Sequence, residues 1–551
     1  MKIIIIGGVA GGATAASRIR RLNETAQITI YEKSGYISYA NCGLPYYLGG
    51  VIKDKSALTL QTPYSFLKRY NIDVFVSHEV IKVDTKEKKV YVKNLLTNDI
   101  FFDEYDKLLI APGSSAIKPP IEGIESNKIF YLKNVEDTYK IEDYIKNNKV
   151  KEVTVVGGGF IGVEAAENFI HKGLKVNLVE KANQVLTFLD EDMASFAHFK
   201  LKQHGINLIL GDGVKSFSEK GAKITLNTEK GSKIDSDLII LSLGVRPTTD
   251  FLKDSGIKLN ARGYIEVDEN LKTNIDDVYA VGDAVTILNS KTNKITTIPL
   301  AGPANKQARI AADNIVGNRV SEYKGSNATS IVKVFDFAFA STGINERVAK
   351  AEGINYEKVI ISASSHASYY PGAKGLVLKV IFDKDSLKIL GGQILGADGV
   401  DKRIDSLSTL IYKDSSILDL TDIDFAYAPP FGSAKDPLNM VGYVADNSIN
   451  GTLKQFDNSD IDELIANHTK YNLIDLRTPN EFILGSIPHF KNIPLDELRD
   501  RLSEIDFTKP IYVICQSGLR SYLGSRILRE YSEDVYNYIG GYSYYSFTNL
   551  L

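Results

Sequence analysis

Twice in this chain a run of apolar, mostly β-branched residues breaks into a cluster of glycines and resumes as a helical pattern. Ile3-Ile4-Ile5-Ile6 leads into Gly7-Gly8-Val9-Ala10-Gly11-Gly12, and Val153-Thr154-Val155-Val156 leads into Gly157-Gly158-Gly159-Phe160-Ile161-Gly162. A strand that ends in such a turn and opens a helix aims backbone N–H groups and the positive end of the helix dipole at one point, which suits a pyrophosphate. Each unit demands a parallel sheet with helices on both faces, so the fold class is α/β. With 551 residues the chain is too long for one core, and three or four domains are expected.

The first unit breaks the G-x-G-x-x-G spacing at Val9, while Gly7 and Gly12 match and Gly8 and Gly11 add backbone freedom. Glu32, followed by Lys33, ends a strand twenty residues past Gly12, where a carboxylate accepts bonds from ribose hydroxyls. The second unit has the full spacing, and Glu180 ends its next strand eighteen residues after Gly162. A carboxylate there repels a 2′-phosphate, so NADH is the expected nucleotide; the adjacent Lys181 softens that preference and leaves NADPH possible.

Composition excludes several classes. Apolar residues make up 44% and charged residues 24%, with net charge −3, which favours neither a nucleic-acid nor a membrane partner. The N-terminal isoleucines stop at Gly7, too soon for a signal peptide or a membrane span, and a cytoplasmic protein is expected. The two cysteines, Cys42 and Cys515, supply neither a disulfide framework nor a structural zinc site, and no metal is expected.

Read for organisation, 1–112 holds the first glycine unit and 113–250 the second. Residues 251–325 run through Val278-Tyr279-Ala280-Val281-Gly282-Asp283 as strand and turn, and 326–445 carry a strand at 375–382 and a helix around 402–412. The polar stretch 446–460 looks like a linker, and 461–551 alternate short strands and helices again.

Cys42 lies in Ser38-Tyr39-Ala40-Asn41-Cys42-Gly43-Leu44-Pro45-Tyr46-Tyr47, with no second cysteine nearby. It cannot close an internal disulfide there, and must cycle through a sulfenic acid or a mixed disulfide with an outside thiol. A helix starting at or just after Cys42 would stabilise its thiolate.

The two nucleotide units, Val281-Gly282-Asp283 and Ala111-Pro112-Gly113 together resemble the pyridine nucleotide–disulfide oxidoreductases over residues 1–445. The resemblance implies two Rossmann-like domains, an α+β dimerisation domain at 326–445 and a homodimer. It implies FAD at the first site, with Asp283 on the ribityl chain and 251–325 returning to that domain, and NADH at the second. The run Ser38–Pro45 resembles coenzyme A-disulfide reductases more closely than water-forming NADH oxidases. That implies coenzyme A as substrate or carrier, and a phenol pair, Tyr369 and Tyr427, that reaches the partner subunit's cysteine and donates a proton to a leaving thiolate. Arg18, Arg21, Ser38 and Asn41 fall at substrate-contact positions of that family, and Thr14 is a further candidate contact. Coenzyme A needs cations for its phosphates, and Lys68, Arg69, Asn305, Lys306, Arg309 and Lys435 are further candidate contacts.

Near the C-terminus, Ile511-Tyr512-Val513-Ile514-Cys515-Gln516-Ser517-Gly518-Leu519-Arg520-Ser521 reads as a strand, a loop and a helix starting near Ser521. Loop N–H groups would converge on the Cys515 sulfur, and Arg520 would fix the loop and attract anions. Four residues separate Cys515 from Arg520, one fewer than in cysteine-dependent phosphatases, which makes a cradle sized for sulfur. With Asp475-Leu476-Arg477, Glu481-Phe482 and Asn492-Ile493-Pro494-Leu495, the segment resembles rhodaneses; Ser486-Ile487-Pro488-His489 departs from their usual histidine before Ile-Pro and glycine after it. The whole chain thus resembles coenzyme A-disulfide reductase–rhodanese fusions, which implies NADH-dependent reduction of coenzyme A persulfide, polysulfide or coenzyme A disulfide. A water-forming NADH oxidase and a redox-sensing flavoprotein are the alternative readings.

Overall fold

The computed structural model describes residues 1–317 and 320–549. They fall into two compact units, Met1–Leu186 with Leu201–Ala328, and Thr187–Lys200 with the residues from Thr329 onward.

In the first unit Lys2–Ile6 is the centre of a five-stranded parallel sheet, flanked by Gln27–Tyr31 and Asp73–Phe75 on one side and by Lys107–Ile110 and Val278–Ala280 on the other. Ile3, Ile4 and Ile5 have no exposed surface, as in a strand covered on both faces. Small residues let two helices meet closely beside it: Ala13, Ala15 and Ala16 of Ala10–Leu22 share one core with Ala308, Ala311 and Ala312 of Ala301–Val316. A second sheet repeats the plan, with Glu152–Val156 at its centre, Lys175–Val179 and Asn207–Ile209 to one side, and Leu238–Leu241 and Ile129–Tyr131 to the other. In both sheets the chain leaves the central strand in one direction and returns on the other side, so the end of that strand opens at a topological switch point. Ser114–Ala116 and Val245–Pro247 pair antiparallel as the chain crosses between the two sheets and back.

The second unit holds an antiparallel sheet in the order Ser330–Val334, Phe337–Gly343, Ile389–Gly396, Gly375–Asp383, Tyr356–Ser364, against which Val400–Tyr412 and Pro437–Ile449 pack. A parallel sheet follows, in the order Lys454–Phe456, Val535–Tyr538, Ile511–Ile514, Asn472–Asp475, Lys491–Asn492.

One expectation fails here. The stretch 446–460 is not a loose linker: helix Pro437–Ile449 runs into it, Lys454–Phe456 forms the sheet edge, and Asp457 caps helix Asn458–Ala466. Its polar residues are the outer side of amphipathic elements whose inner side includes Val441, Ala445 and Phe456, all buried.

Candidate active sites

The two glycine turns are built alike. Gly7 and Gly157 have φ of 95° and 107°, and a Cβ on either would strike a carbonyl, of Ala111 or Ser242. A Cβ at Gly12 or Gly162 would strike the carbonyl of Gly7 or Gly157 at 1.8 Å. Glycine at these positions lets each helix start tight against its strand. Val9 and Gly159 are the helix N-caps, and neither helix has a side-chain cap, which leaves the first-turn N–H groups of 10–12 and 160–162 for an anion, while Ala13 and Val163 donate to the cap carbonyls. Nothing lies within 4 Å of a Cβ built on Gly159, so that turn has room for close backbone approach to a phosphate. Val9 sits at φ −102°, which needs no glycine.

The strand register sets a carboxylate beside each turn. Ile6 pairs with Tyr31 and Val156 with Val179, so Glu32 and Glu180 stand one residue beyond, at the mouth. Glu32 accepts N–H bonds from Gly8 at 2.7 Å and Ser34 at 2.8 Å, and Glu180 from Gly158 at 2.6 Å and Ala182 at 2.7 Å. Each oxygen keeps lone pairs for ribose hydroxyls. Burial pushes the Glu32 carboxyl up, against those N–H bonds. Lys33 is engaged by Glu79 at 2.6 Å, and Lys181 by Glu229 at 3.0 Å. Asp283 stands at the end of the first sheet with Gly282 at φ 87°; it accepts a bond from Ser114 Oγ at 2.7 Å, and Lys133 Nζ lies 3.6 Å from it. Gly113, at φ 67°, follows Ala111 on the crossing strand. Both sites therefore fit a dinucleotide: uncapped helix starts, open glycine turns and a ribose-facing carboxylate.

Cys42 is exposed and free, in the single turn Asn41–Gly43 ahead of the short helix Leu44–Leu48. The expected dipole stabilisation is not what dominates. Surrounding protein mass pushes the thiol up, the Glu164 carboxylate adds to this, and the Lys133 ammonium opposes it. A five-residue helix carries too little aligned dipole to reverse that balance. Tyr46 donates to Glu164 Oε1 at 3.2 Å, and burial pushes the Glu164 carboxyl up to about 7. Ser38 occupies a left-handed conformation, φ 46°, and its N–H donates to the Gly8 carbonyl, which fixes the cysteine segment to the first glycine turn. Tyr46, Glu164, Lys133 and Ser114 are absent from the sequence reading. Tyr46 stands one helical turn past Cys42, and Glu164 two residues past Gly162, which are the signals that point to them.

Of the candidate substrate contacts, Thr14 bonds Asn305 at 2.6 Å between the two alanine-rich helices. Arg21, Asn305, Lys306 and Arg309 are exposed on those helices, and Lys68 and Arg69 on the last turn of Pro63–Tyr70, which Arg20 ties to the first helix through the carbonyls of Tyr70 and Asn71. Arg18 pairs through Nε with Asp313, 2% exposed, at 2.8 Å, which fixes its guanidinium. Asn41 remains partly accessible beside Cys42.

In the second unit the hydroxyls of Tyr369 and Tyr427 meet at 2.9 Å, though the side chains are 73% and 47% exposed. Arg403, unread in the sequence, holds their two loops: it bonds the Ser365 carbonyl and Asp436, each at 2.9 Å, and Ala367 N–H donates to Gly432. Lys435 is exposed beside Asp436.

Cys515 is buried at the end of Ile511–Ile514. Gly518, at φ 100°, directs its N–H to the sulfur at 3.1 Å, and Ser521 Oγ lies 3.2 Å from it. The helix begins at Leu519, earlier than expected, so a single loop N–H and one hydroxyl reach the sulfur. Ser521 was not singled out; a hydroxyl residue directly after the loop arginine is its signal. Arg520 forms a bidentate pair with Glu481, at 2.7 and 2.8 Å, which holds the Glu481 carboxyl down to about 2. Its guanidinium thus fixes the loop and is already neutralised as an anion attractor. Arg477 pairs with buried Asp475 at 2.7 Å and lies 3.7 Å over the Tyr542 ring. His489 takes φ 68°, the left-handed position where the rhodanese pattern has glycine, and stacks on His468.

Among the described residues no helix is long and apolar enough to cross a membrane. Residues 1–308 match the family described as pyridine nucleotide-disulphide oxidoreductase, 329–437 its dimerisation domain, and 458–547 a rhodanese-like domain. The coenzyme A disulfide reductase of Staphylococcus epidermidis is 38% identical over 444 residues, which cover 81% of this chain and 99% of that protein. The reduced Bacillus anthracis CoADR-RHD superposes with a TM-score of 0.96 at 46% identity, covering 99% of this chain and 98% of that one. An NAD-dependent persulfide reductase from A. fulgidus superposes at 0.93 with 35% identity, covering 99% and 100%. The chain belongs to the pyridine nucleotide-disulphide oxidoreductase family and carries a rhodanese-like domain after that family's dimerisation domain.

Proposed function

We propose that this protein is a cytoplasmic, homodimeric flavoenzyme that uses NADH to reduce coenzyme A persulfide, polysulfide or coenzyme A disulfide, with sulfane sulfur handled at Cys515. The observation that carries this reading is the pair of unlike thiols: Cys42 exposed with no second cysteine, and Cys515 enclosed by Gly518 N–H and Ser521. An exposed single thiol must bond to an outside sulfur, whereas an enclosed one holds a transferable sulfur in a fixed cradle.

In this reading the Cys42 thiolate attacks the coenzyme A sulfur of the persulfide. The S–S bond breaks, hydrosulfide leaves, and a Cys42–coenzyme A mixed disulfide remains. Glu32 and Asp283 would hold FAD at the Gly7–Gly12 turn and Glu180 would hold NADH at Gly157–Gly162; once bound, the pair would supply the two electrons needed to return the Cys42 thiolate and coenzyme A thiolate from the mixed disulfide. Lys133 offsets negative charge at Cys42, and Glu164, bonded by Tyr46 and pushed up to about 7, can hold a proton near neutral pH. In the dimer the Tyr369–Tyr427 pair of one protomer serves Cys42 of the other and protonates the leaving sulfur. Arg21, Lys68, Arg69, Lys306 and Arg309 offer cations to the coenzyme A phosphates, and Lys435 is a further candidate contact.

The test is anaerobic NADH consumption with coenzyme A persulfide, sulfide being counted alongside. One sulfide per NADH, faster than turnover of coenzyme A disulfide and lost in Cys42→Ser, supports persulfide reduction. Fast disulfide turnover with little sulfide makes disulfide the substrate. NADH consumption only after oxygen is admitted supports an oxidase instead.

A further inference from the structure

Lys379 is the most deeply buried lysine-centred charge cluster described in the second unit, and the proposed chemistry does not use it. It lies mid-strand in Gly375–Asp383, 1% exposed, with Asp190, Asp192 and Glu346 at 3.0, 2.6 and 2.5 Å. Glu346 also accepts from Tyr356 at 2.6 Å and pairs with Lys358, which reaches Asp457 at 2.8 Å. Four carboxylates thus surround two ammoniums, and the remaining lone pairs are met by hydroxyl and amide donors, including Gln393 on Asp190 and Tyr544 on Asp192.

Two of these groups come from the start and the end of the rhodanese-like segment, Asp457 directly preceding the matched residues 458–547. Asp457 caps its first helix, and Tyr544, 2% exposed, lies in its last helix, Gly541–Thr548. That last helix is also the floor of the sulfur loop. Its Tyr542 and Ser543 N–H groups donate to the carbonyls of Cys515 and Gln516 at 2.7 and 3.0 Å, and Gln516 Nε2 donates to Ser543 Oγ at 2.7 Å. Gly541, at φ 74°, packs so close that a Cβ would lie 2.6 Å from Ser517 N. One helix therefore grips the Cys515 loop by its backbone and reaches Lys379 of the antiparallel sheet through Tyr544 and Asp192 of helix Glu191–Gln203.

The same sheet hairpin carries Tyr369. Strands Tyr356–Ser364 and Gly375–Asp383 pair with Ile360 opposite Lys379 and Ser362 opposite Val377, and Tyr369 lies in the loop that joins them. Ser362 Oγ donates to the Gly540 carbonyl at 2.9 Å, directly before the helix. The Cys515 loop and the Tyr369 loop are thus mounted on one frame.

We propose that Tyr544, Asp192 and Lys379 are positioning residues for sulfur transfer: through helix Gly541–Thr548 they hold the Cys515 loop at a set place relative to the loop of Tyr369. The inference rests on the function proposed above. Cys515 thiolate takes the outer sulfur of a donor, breaking the donor's S–S bond and forming its own persulfide. Coenzyme A thiolate then attacks that outer sulfur, coenzyme A persulfide forms, and Cys515 thiolate is returned, with no net oxidation. A misplacement of about 1 Å costs such a transfer up to about a hundredfold.

Three rates on the full-length enzyme separate the effects, with thiosulfate as the sulfane-sulfur probe. The first is thiocyanate formation from thiosulfate and cyanide, which reads loading of Cys515. The second is NADH oxidation by coenzyme A disulfide, which bypasses Cys515. The third is NADH oxidation by thiosulfate with coenzyme A as carrier. Tyr544→Phe, which removes one hydroxyl, is expected to leave the first two within about twofold and to lower kcat of the third about tenfold, with KM for coenzyme A unchanged. Lys379→Met, which leaves three carboxylates facing one another, is expected to exaggerate the same pattern, and Lys379→Arg to restore part of it. A Tyr544→Phe enzyme whose coupled rate is unchanged, or falls only in step with loading or disulfide reduction, overturns the inference. A parent enzyme that shows the first two rates but no coupled turnover instead overturns the proposed function, and this inference with it.

Discussion

Tyr46 donates its phenolic hydrogen to Glu164 at 3.2 Å, and the two sit on different elements, the short helix after Cys42 and the helix after the second glycine turn. Burial pushes the Cys42 thiol up, the Glu164 carboxylate adds to this, and the Lys133 ammonium lowers it.

The two groups should therefore move Cys42 in opposite directions. Glu164→Gln removes the negative charge and should shift the pH profile of Cys42 alkylation by iodoacetamide to lower pH; Lys133→Met should shift it higher. Shifts of one sign for both variants would refute the electrostatic account. Glu164 also leaves a stability signature. Its folded carboxyl lies near 7 against an ordinary 4.5, so its contribution is present below the ordinary value and is lost as pH rises to about 7. Glu164→Gln should raise Tm relative to the parent more above pH 7 than below pH 4.5.

The Tyr369–Tyr427 hydrogen bond makes the two phenols one unit. Each single Phe substitution should lower kcat for coenzyme A disulfide by about a hundredfold, the scale of general acid catalysis. The double variant should lose little more than either single one, because groups that act together are non-additive. Fully multiplicative losses would show two independent roles. Steady-state kinetics on the three variants decides it.

Lys181 is the residue placed to welcome a 2′-phosphate, and Glu229 neutralises it at 3.0 Å. Glu229→Ala should free the ammonium and raise the ratio of kcat/KM for NADPH over NADH by about three- to tenfold, the scale of an exposed charge pair. The gain should shrink with added salt. An unchanged ratio at low salt would leave Glu180 alone as the discriminator.

Glu481 both caps helix Pro479–Ile483 and neutralises Arg520. Glu481→Gln should cost about 1 kcal/mol of stability near neutral pH, as an exposed pair and a cap suggest. The carboxyl is held down to about 2, so the parent's advantage is full above its ordinary pKa and fades as pH falls toward 2. Urea midpoints across that range read this. The freed Arg520 should lower KM for thiosulfate in the cyanide assay, with kcat little changed.

The glycine turns, Glu32, Glu180, Cys42 and the Cys515 loop are legible in the sequence because each is encoded by contiguous strand, turn and helix. That Tyr46 meets Glu164, and Lys133 meets Asp283, is not legible there, because each pair joins elements over a hundred residues apart. The Arg18–Asp313 pair is likewise hidden, because Asp313 arrives from a distant helix. The linker reading of 446–460 fails because polarity marks the wet side of an element as readily as a loop. Lys379 does carry a signal: a lysine inside Leu376-Val377-Leu378-Lys379-Val380-Ile381-Phe382 is a charge on a strand that is otherwise apolar on both faces, and such a charge needs buried partners.

Strands Lys454–Phe456 and Val535–Tyr538 are neighbours, so the rhodanese-like sheet is entered and left along one edge. The sheet therefore joins its neighbour along one side, without threading through it. The Lys358–Asp457 and Tyr544–Asp192 contacts make that junction costly to undo: a variant stripped of the sheet exposes charges at Asp192 and Lys358 that now have partners in it.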